Sequence, residues 1–173
     1  MAVAAKLTDD YSGDPCVHLD GVIVGLRASG ADPRLLIDAL VIRGQYFAEQ
    51  NSRRCLVDLE EALDVVRQID DGWLLACVLE QYSQVFWSMG LFTSATDFAT
   101  QASAAFESAG DVYRSGLNGY FAARLKGVRG PYSGERREYE AILEKVRDHP
   151  MFVRFVLASM PPRDSPGERD AAE

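Results

Sequence analysis

Between Leu79 and Ala102 the chain reads L-E-Q-Y-S-Q-V-F-W-S-M-G-L-F-T-S-A-T-D-F-A-T-Q-A. Leu79, Tyr82, Phe86 and Phe92 are large, while Ser83, Gly90, Ala95, Ala99 and Ala102 are small. Bulky residues recur at helical spacing, and small ones are needed where two backbones approach closely. The stretch predicts two helices folded back on each other at Gly90. It constrains the rest of the chain because its order of large and small recurs.

The recurrence has a period of 40. Gly90 and Gly130 are 40 residues apart, and each is followed two residues later by an aromatic, Phe92 and Tyr132. Asp71 and Asp111 keep the same spacing, with Trp73 and Tyr113 two residues beyond them. On the second helix of each pair, Leu19, Leu59, Ala99 and Tyr139 form one column. Val22, Ala62, Ala102 and Ile142 form another, and Leu26, Val66, Phe106 and Val146 a third. A period of this size implies stacked helical hairpins, each burying its apolar face against its neighbours. The chain then reads as a leading second helix, three helix pairs and a trailing first helix. The two half-units are expected to cap the ends.

Local signals mark about eight helices. Asp14-Pro15 and Asp32-Pro33 are helix starts, an N-cap side chain followed by proline. Ser29-Gly30 is a stop. Further helices are expected over 32–50, 52–69, 72–89, 93–108, 112–127, 133–147 and 151–159, with Thr93 or Ser94 capping the one after Gly90. No strand-period pattern stands out. The domain reading is a loose segment 1–13, a helical repeat domain 14–159, and a tail 160–173 whose prolines and alternating charges suit a disordered linker.

The order Leu79, Tyr82-Ser83, Phe86, Gly90, Phe92, Ala95, Ala99, Ala102 resembles the tetratricopeptide repeat. Ala99 stands where that family favours an aromatic, and Glu107 where it favours proline. The longer period is closer to the divergent repeats of bacterial LuxR-type and antibiotic-regulatory proteins. The resemblance covers roughly residues 15–159. It implies an all-α, right-handed solenoid of antiparallel helix pairs whose first helices line a concave, partner-binding groove. Mapped onto this chain, that face takes Ile37, Leu40, Gly44 and Phe47, then Cys77, Glu80, Gln84 and Trp87, then Leu117, Tyr120 and Arg124. Apolar and aromatic residues with a few polar groups suit a peptide or helix laid in a groove. The competing readings of the same residues are a self-association surface and plain core.

Composition narrows the partners. Net charge is −8 and the sequence pI about 4.8, which disfavours nucleic acid, since phosphate binding needs a basic surface. No apolar run is long enough to span a membrane, and the first residues do not form a signal peptide. Cys16, Cys55 and Cys77 are odd in number, lack C-x-x-C spacing and sit in apolar patterns. They read as small buried hydrophobes in a reducing, cytoplasmic setting. Arg114, Arg124, Lys126, Arg129, Arg136 and Arg137 make the third unit locally basic, either a site for a phosphate or an acidic partner segment or a mixed solvated face.

Signs of catalysis are sparse. Nothing brings Glu80, Asp97 and Glu107 together as paired acids. His18 and His149 lie near no nucleophile-elbow pattern and form no zinc spacing. No cofactor motif occurs. The expectation is a non-enzymatic module that binds a protein or peptide segment, or its own twin, without cofactor or metal. The alternatives are a ligand-sensing regulatory domain and a small helical enzyme with a buried pocket.

Overall fold

The computed structural model describes residues 15–50, 53–128, 130, 132 and 134–161. Eight helices lie among them, with no strand: α1 (Pro15–Ser29), α2 (Pro33–Glu49), α3 (Arg54–Ile69), α4 (Gly72–Ser88), α5 (Phe92–Ser108), α6 (Val112–Gly127), α7 (Glu135–Lys145) and α8 (Pro150–Ser159). The chain is all-α. Its contacts divide it after Ile69 into two compact units, α1–α3 and α4–α8. The expected loose segment 1–13, the Asp14 cap, the Asn51–Ser52 break, Ser133 and the tail beyond Pro161 lie outside the described residues.

Helix starts follow the acid signals. The side chains of Asp32, Asp71 and Asp111 accept from the backbone N–H groups of Arg34, Leu74 and Arg114, each at 3.0 Å. Each satisfies one of the donors that a helix N-terminus leaves unpaired. The stops are as regular. Gly90 and Gly110 adopt φ of 73° and 81°, and the next residue's N–H reaches back five positions. Leu91 donates to the Phe86 carbonyl and Asp111 to that of Phe106, both at 2.9 Å. This left-handed cap is open to glycine without a Cβ penalty. Asp70 fills the equivalent place before α4 with φ 51°.

One start differs from expectation. Leu91 occupies the N-cap of α5 without a side-chain bond, and Thr93 and Ser94 fall inside the helix. The turn at Gly90 already ties the Leu91 N–H to α4, so α5 begins at once.

In the second unit each helix packs on its sequence neighbours. Ala76 and Leu79 of α4 cluster with Ala102 and Phe106 of α5. Nearer the turn, the buried Ser83 hydroxyl donates to the Ala95 carbonyl at 2.7 Å. Early residues of α4 thus meet late residues of α5, and the two run antiparallel. Ser83, Ala95, Ala99 and Ala102 are each 0% exposed, so the small residues do mark a close approach. Tyr82, Phe86 and Phe98 stack alongside, with Tyr82 and Phe98 centroids 4.7 Å apart.

The columns at spacing 40 are core in three helices. Leu59, Ala62 and Val66 of α3, Ala99, Ala102 and Phe106 of α5, Tyr139 and Ile142 of α7, and Val146 at the C-cap of α7 are all buried. In the first unit, α2 packs on both α1 and α3. Arg43 of α2 makes a two-point pair with buried Asp58 of α3 at 2.9 and 2.6 Å, and also bonds Asp20 of α1.

Candidate functional site

The residues expected to line a groove separate into buried and exposed sets. Ile37 and Leu40 of α2 are 1% and 0% exposed, and Gly44 packs against α3. These three are interior, because α2 is covered on two flanks by α1 and α3. Phe47 is half-buried, under the Arg54 guanidinium at 5.6 Å and edge-on to Tyr46.

In the second unit Glu80 is also buried, at 7%. Its carboxylate accepts from Asn118 Nδ2 at 2.8 Å and lies 3.4 Å from Arg114 Nη2. Arg114 in turn donates to Cys77 Sγ at 3.0 Å and stacks its guanidinium over the Trp73 and Phe106 rings. This network ties α4 to α6, so Glu80 has a structural partner where a recognition role was expected. Burial pushes the Cys77 thiol up to about 11, against the opposing pull of the Arg114 charge. Tyr120 is likewise buried, in the cluster formed by α6, α7 and α8, and its hydroxyl meets Ser159 Oγ at 2.7 Å.

Four of the expected residues remain at the surface: Gln84, Trp87, Leu117 and Arg124. Trp87 of α4 is 51% exposed, and Leu117 of α6 is 36% exposed. Phe121 joins them, its ring edge-on to Trp87 with centroids 5.8 Å apart. Leu117, Phe121 and Arg124 follow at i, i+4 and i+7, so they share one face of α6. Arg124 reaches back along α6 over the Tyr120 ring at 5.9 Å. The exposed site is thus an aromatic patch carrying a guanidinium, built by α4 and α6. Phe121 and Asn118 were not singled out in the sequence, although Phe121 stands on the same stripe as Leu117 and Arg124.

The remaining basic residues are mostly engaged. Lys126 pairs with Glu138 at 2.7 Å, and Arg136 pairs with Glu140 and donates to the Pro161 carbonyl. Arg129 lies outside the described residues. A second feature lies between α5, α6 and α7, a cleft of about 310 Å³. Gly116, Gly119, Ser103 and Ser115 line it, together with the ion pairs Lys126–Glu138 and Glu107–Lys145. Among the described residues no group of three or more His, Cys, Asp or Glu is placed to hold a metal ion.

No family model, curated protein or solved structure matches the chain. Among the described residues no helix is long and apolar enough to cross a membrane.

Proposed function

We propose that this chain is a non-enzymatic, tetratricopeptide-like helical-repeat module that binds a peptide or protein segment on the exposed face of α4 and α6. The right-handed solenoid is part of the proposal. It draws support from the buried columns at spacing 40 and from the matching left-handed caps at Gly90 and Gly110. A cytoplasmic setting suits three cysteines that carry thiols rather than disulfides.

The observation that carries the binding reading is Trp87. A tryptophan left half-exposed, steadied by Phe121 and next to the Arg124 helix face, is the residue type that dominates interface energetics. The partner suited to it is an apolar segment with a nearby carboxylate, which Arg124 receives. The polar groups around it serve the fold. Glu80 is held by Asn118 and Arg114, and the Cys77 thiol is shifted away from the thiolate that a nucleophile needs.

The test is affinity capture with the wild-type chain, Trp87→Ala and Arg124→Glu, followed by direct titration of any captured segment. Both variants should keep the wild-type melting temperature and lose the partner. Retention of every partner by both variants would sink the assignment.

The cleft beside Gly116 and Gly119 favours a second reading, a ligand-sensing regulatory domain. A small molecule seated there raises Tm by mass action. Thr100→Trp, at an exposed position of the cleft lining, should abolish that rise.

A further inference from the structure

The arginine that ties α4 to α6 has a counterpart on α8 that lacks its acid. Arg114 and Arg154 are 40 residues apart, the period of the chain. Arg114 lies 3.4 Å from the buried Glu80 carboxylate of α4 and donates to Cys77 Sγ. The residues 40 positions beyond Glu80 and Cys77 are Tyr120 and Leu117, and neither brings a carboxylate. Arg154 is exposed and makes no ion pair among the described residues.

Arg124 of α6 is in the same position. Among the described residues it makes no ion pair, and its guanidinium reaches the Tyr120 hydroxyl at 3.5 Å. Neither α6 nor α8 contains Asp or Glu, and the one acid of α4 is Glu80. Against it the three helices set Arg114, Arg124, Lys126 and Arg154. They carry a surplus of positive charge in a chain whose net charge is −8.

Aromatic contacts run across the same three helices. Trp87 of α4 meets Phe121 of α6, and Tyr120 of α6 meets Phe155 of α8 with centroids 5.1 Å apart. Arg124 follows Tyr120 and Phe121 by four and three positions, so it stands beside both on the α6 surface. On α8, Met151, Arg154 and Phe155 follow at i, i+3 and i+4 and share one face. Met151 and Phe155 are 77% and 52% exposed. Each of α6 and α8 thus presents apolar side chains together with one arginine that lacks an acid.

We propose that α8 completes the partner site, and that the partner is an acidic amphipathic segment with one carboxylate for Arg124 and another for Arg154. This rests on the Trp87 face being the partner site. A guanidinium takes a carboxylate in a two-point geometry that is stronger than a neutral hydrogen bond. The segment's acid gives Arg154 what Glu80 gives Arg114, and its apolar side covers Trp87, Phe121 and Phe155. Because the chain as a whole is acidic, it repels such a segment elsewhere. The two arginines therefore select the face on which the segment docks.

A random-peptide library displayed on phage and selected against the full chain tests this. Enriched peptides should carry acidic residues on both sides of an apolar run. A synthetic copy of one should bind Arg124→Glu and Arg154→Glu each about tenfold more weakly than wild type. Arg137→Glu, the same charge change at an exposed position of α7, should leave binding unchanged. A copy with one acid changed to lysine should prefer Arg154→Glu to wild type. Circular dichroism checks folding, and Arg154→Gln replaces Arg154→Glu if the latter does not fold. Loss of the peptide by Trp87→Ala but not by Arg154→Glu overturns the proposal and leaves the Trp87 face as the partner site. Enrichment of peptides without acids, lost by Trp87→Ala, does the same. A selection that yields no peptide, or peptides that Trp87→Ala retains, overturns both. An oligouridylate that binds more tightly than the peptide and is lost with Arg154→Glu puts nucleic acid in the segment's place and overturns the proposal.

Discussion

A Cβ added at Gly116 would stand 2.2 Å from Val146 Cγ1, while at Gly119 the nearest atom is 3.4 Å away. Gly116→Ala is therefore expected to cost about 2 kcal/mol through overpacking and Gly119→Ala much less, a difference that denaturant midpoints resolve. Arg43 and Asp58 form the other sensitive position, with side chains 14% and 4% exposed. Removing one partner of such a pair leaves the other charge uncompensated. Arg43→Met should cost about 3 kcal/mol, read as a lower urea midpoint at unchanged slope. At Cys77 the raised pKa has a definite sign. The protonated thiol favours the fold fully below pH 9, and that contribution is lost as pH rises through about 11. At pH 8 the thiolate is scarcer than in an ordinary cysteine, so alkylation of Cys77 in the folded chain should be roughly a hundredfold slower. Equal rates for the folded and unfolded chain would contradict this.

Between residue and fold, the elements are set by their ends. Asp71 and Asp111 make the same cap at spacing 40, and Asp111 accepts from the Trp73 indole at 3.2 Å. Asp111→Ala should cost more than the roughly 1 kcal/mol of a lost cap, because it also frees a contact between α4 and α6. Trp73→Phe keeps the cap and removes the indole donor, so it should lower the melting temperature too; an unchanged value would show the indole bond to be idle. These ends were legible in the sequence because caps and left-handed stops are local chemistry. The start of α5 was not, because the Schellman-type turn at Gly90 carries the chain into Phe92 without using Thr93. The α1 stripe was legible only in part. Leu19, Val22, Ile23 and Leu26 all fit helical spacing, but only Ile23 of the four is buried. Periodicity gives an apolar side; it does not say which flank of that side meets α2.

At the scale of the molecule, the chain comprises two compact units, and both tryptophans, Trp73 and Trp87, belong to the second. Tryptophan fluorescence thus reports α4–α8, while far-UV circular dichroism reports all eight helices. The first unit has three helices and the smaller interior, and smaller domains bury less of their surface. Its helices are expected to melt first, so the dichroism transition should begin below the fluorescence transition. Coincident transitions would show a single cooperative unit. The binding proposal belongs to the second unit alone, since Trp87, Leu117, Phe121 and Arg124 all lie there.

The sequence by itself determined the all-α class, the number of helices, most of their boundaries and the three buried columns. Those follow from side-chain spacing along one helix and from backbone constraints at aspartate, proline and glycine, all within a few residues. Only the tertiary structure decided which first-helix residues face solvent. Ile37, Leu40, Glu80 and Tyr120 carry the same helical spacing as Gln84, Trp87 and Arg124, yet neighbouring helices cover the first four and leave the last three open. A helix packed on two flanks has little free surface. Which arc is left depends on where its neighbours sit, and spacing within one helix cannot encode that.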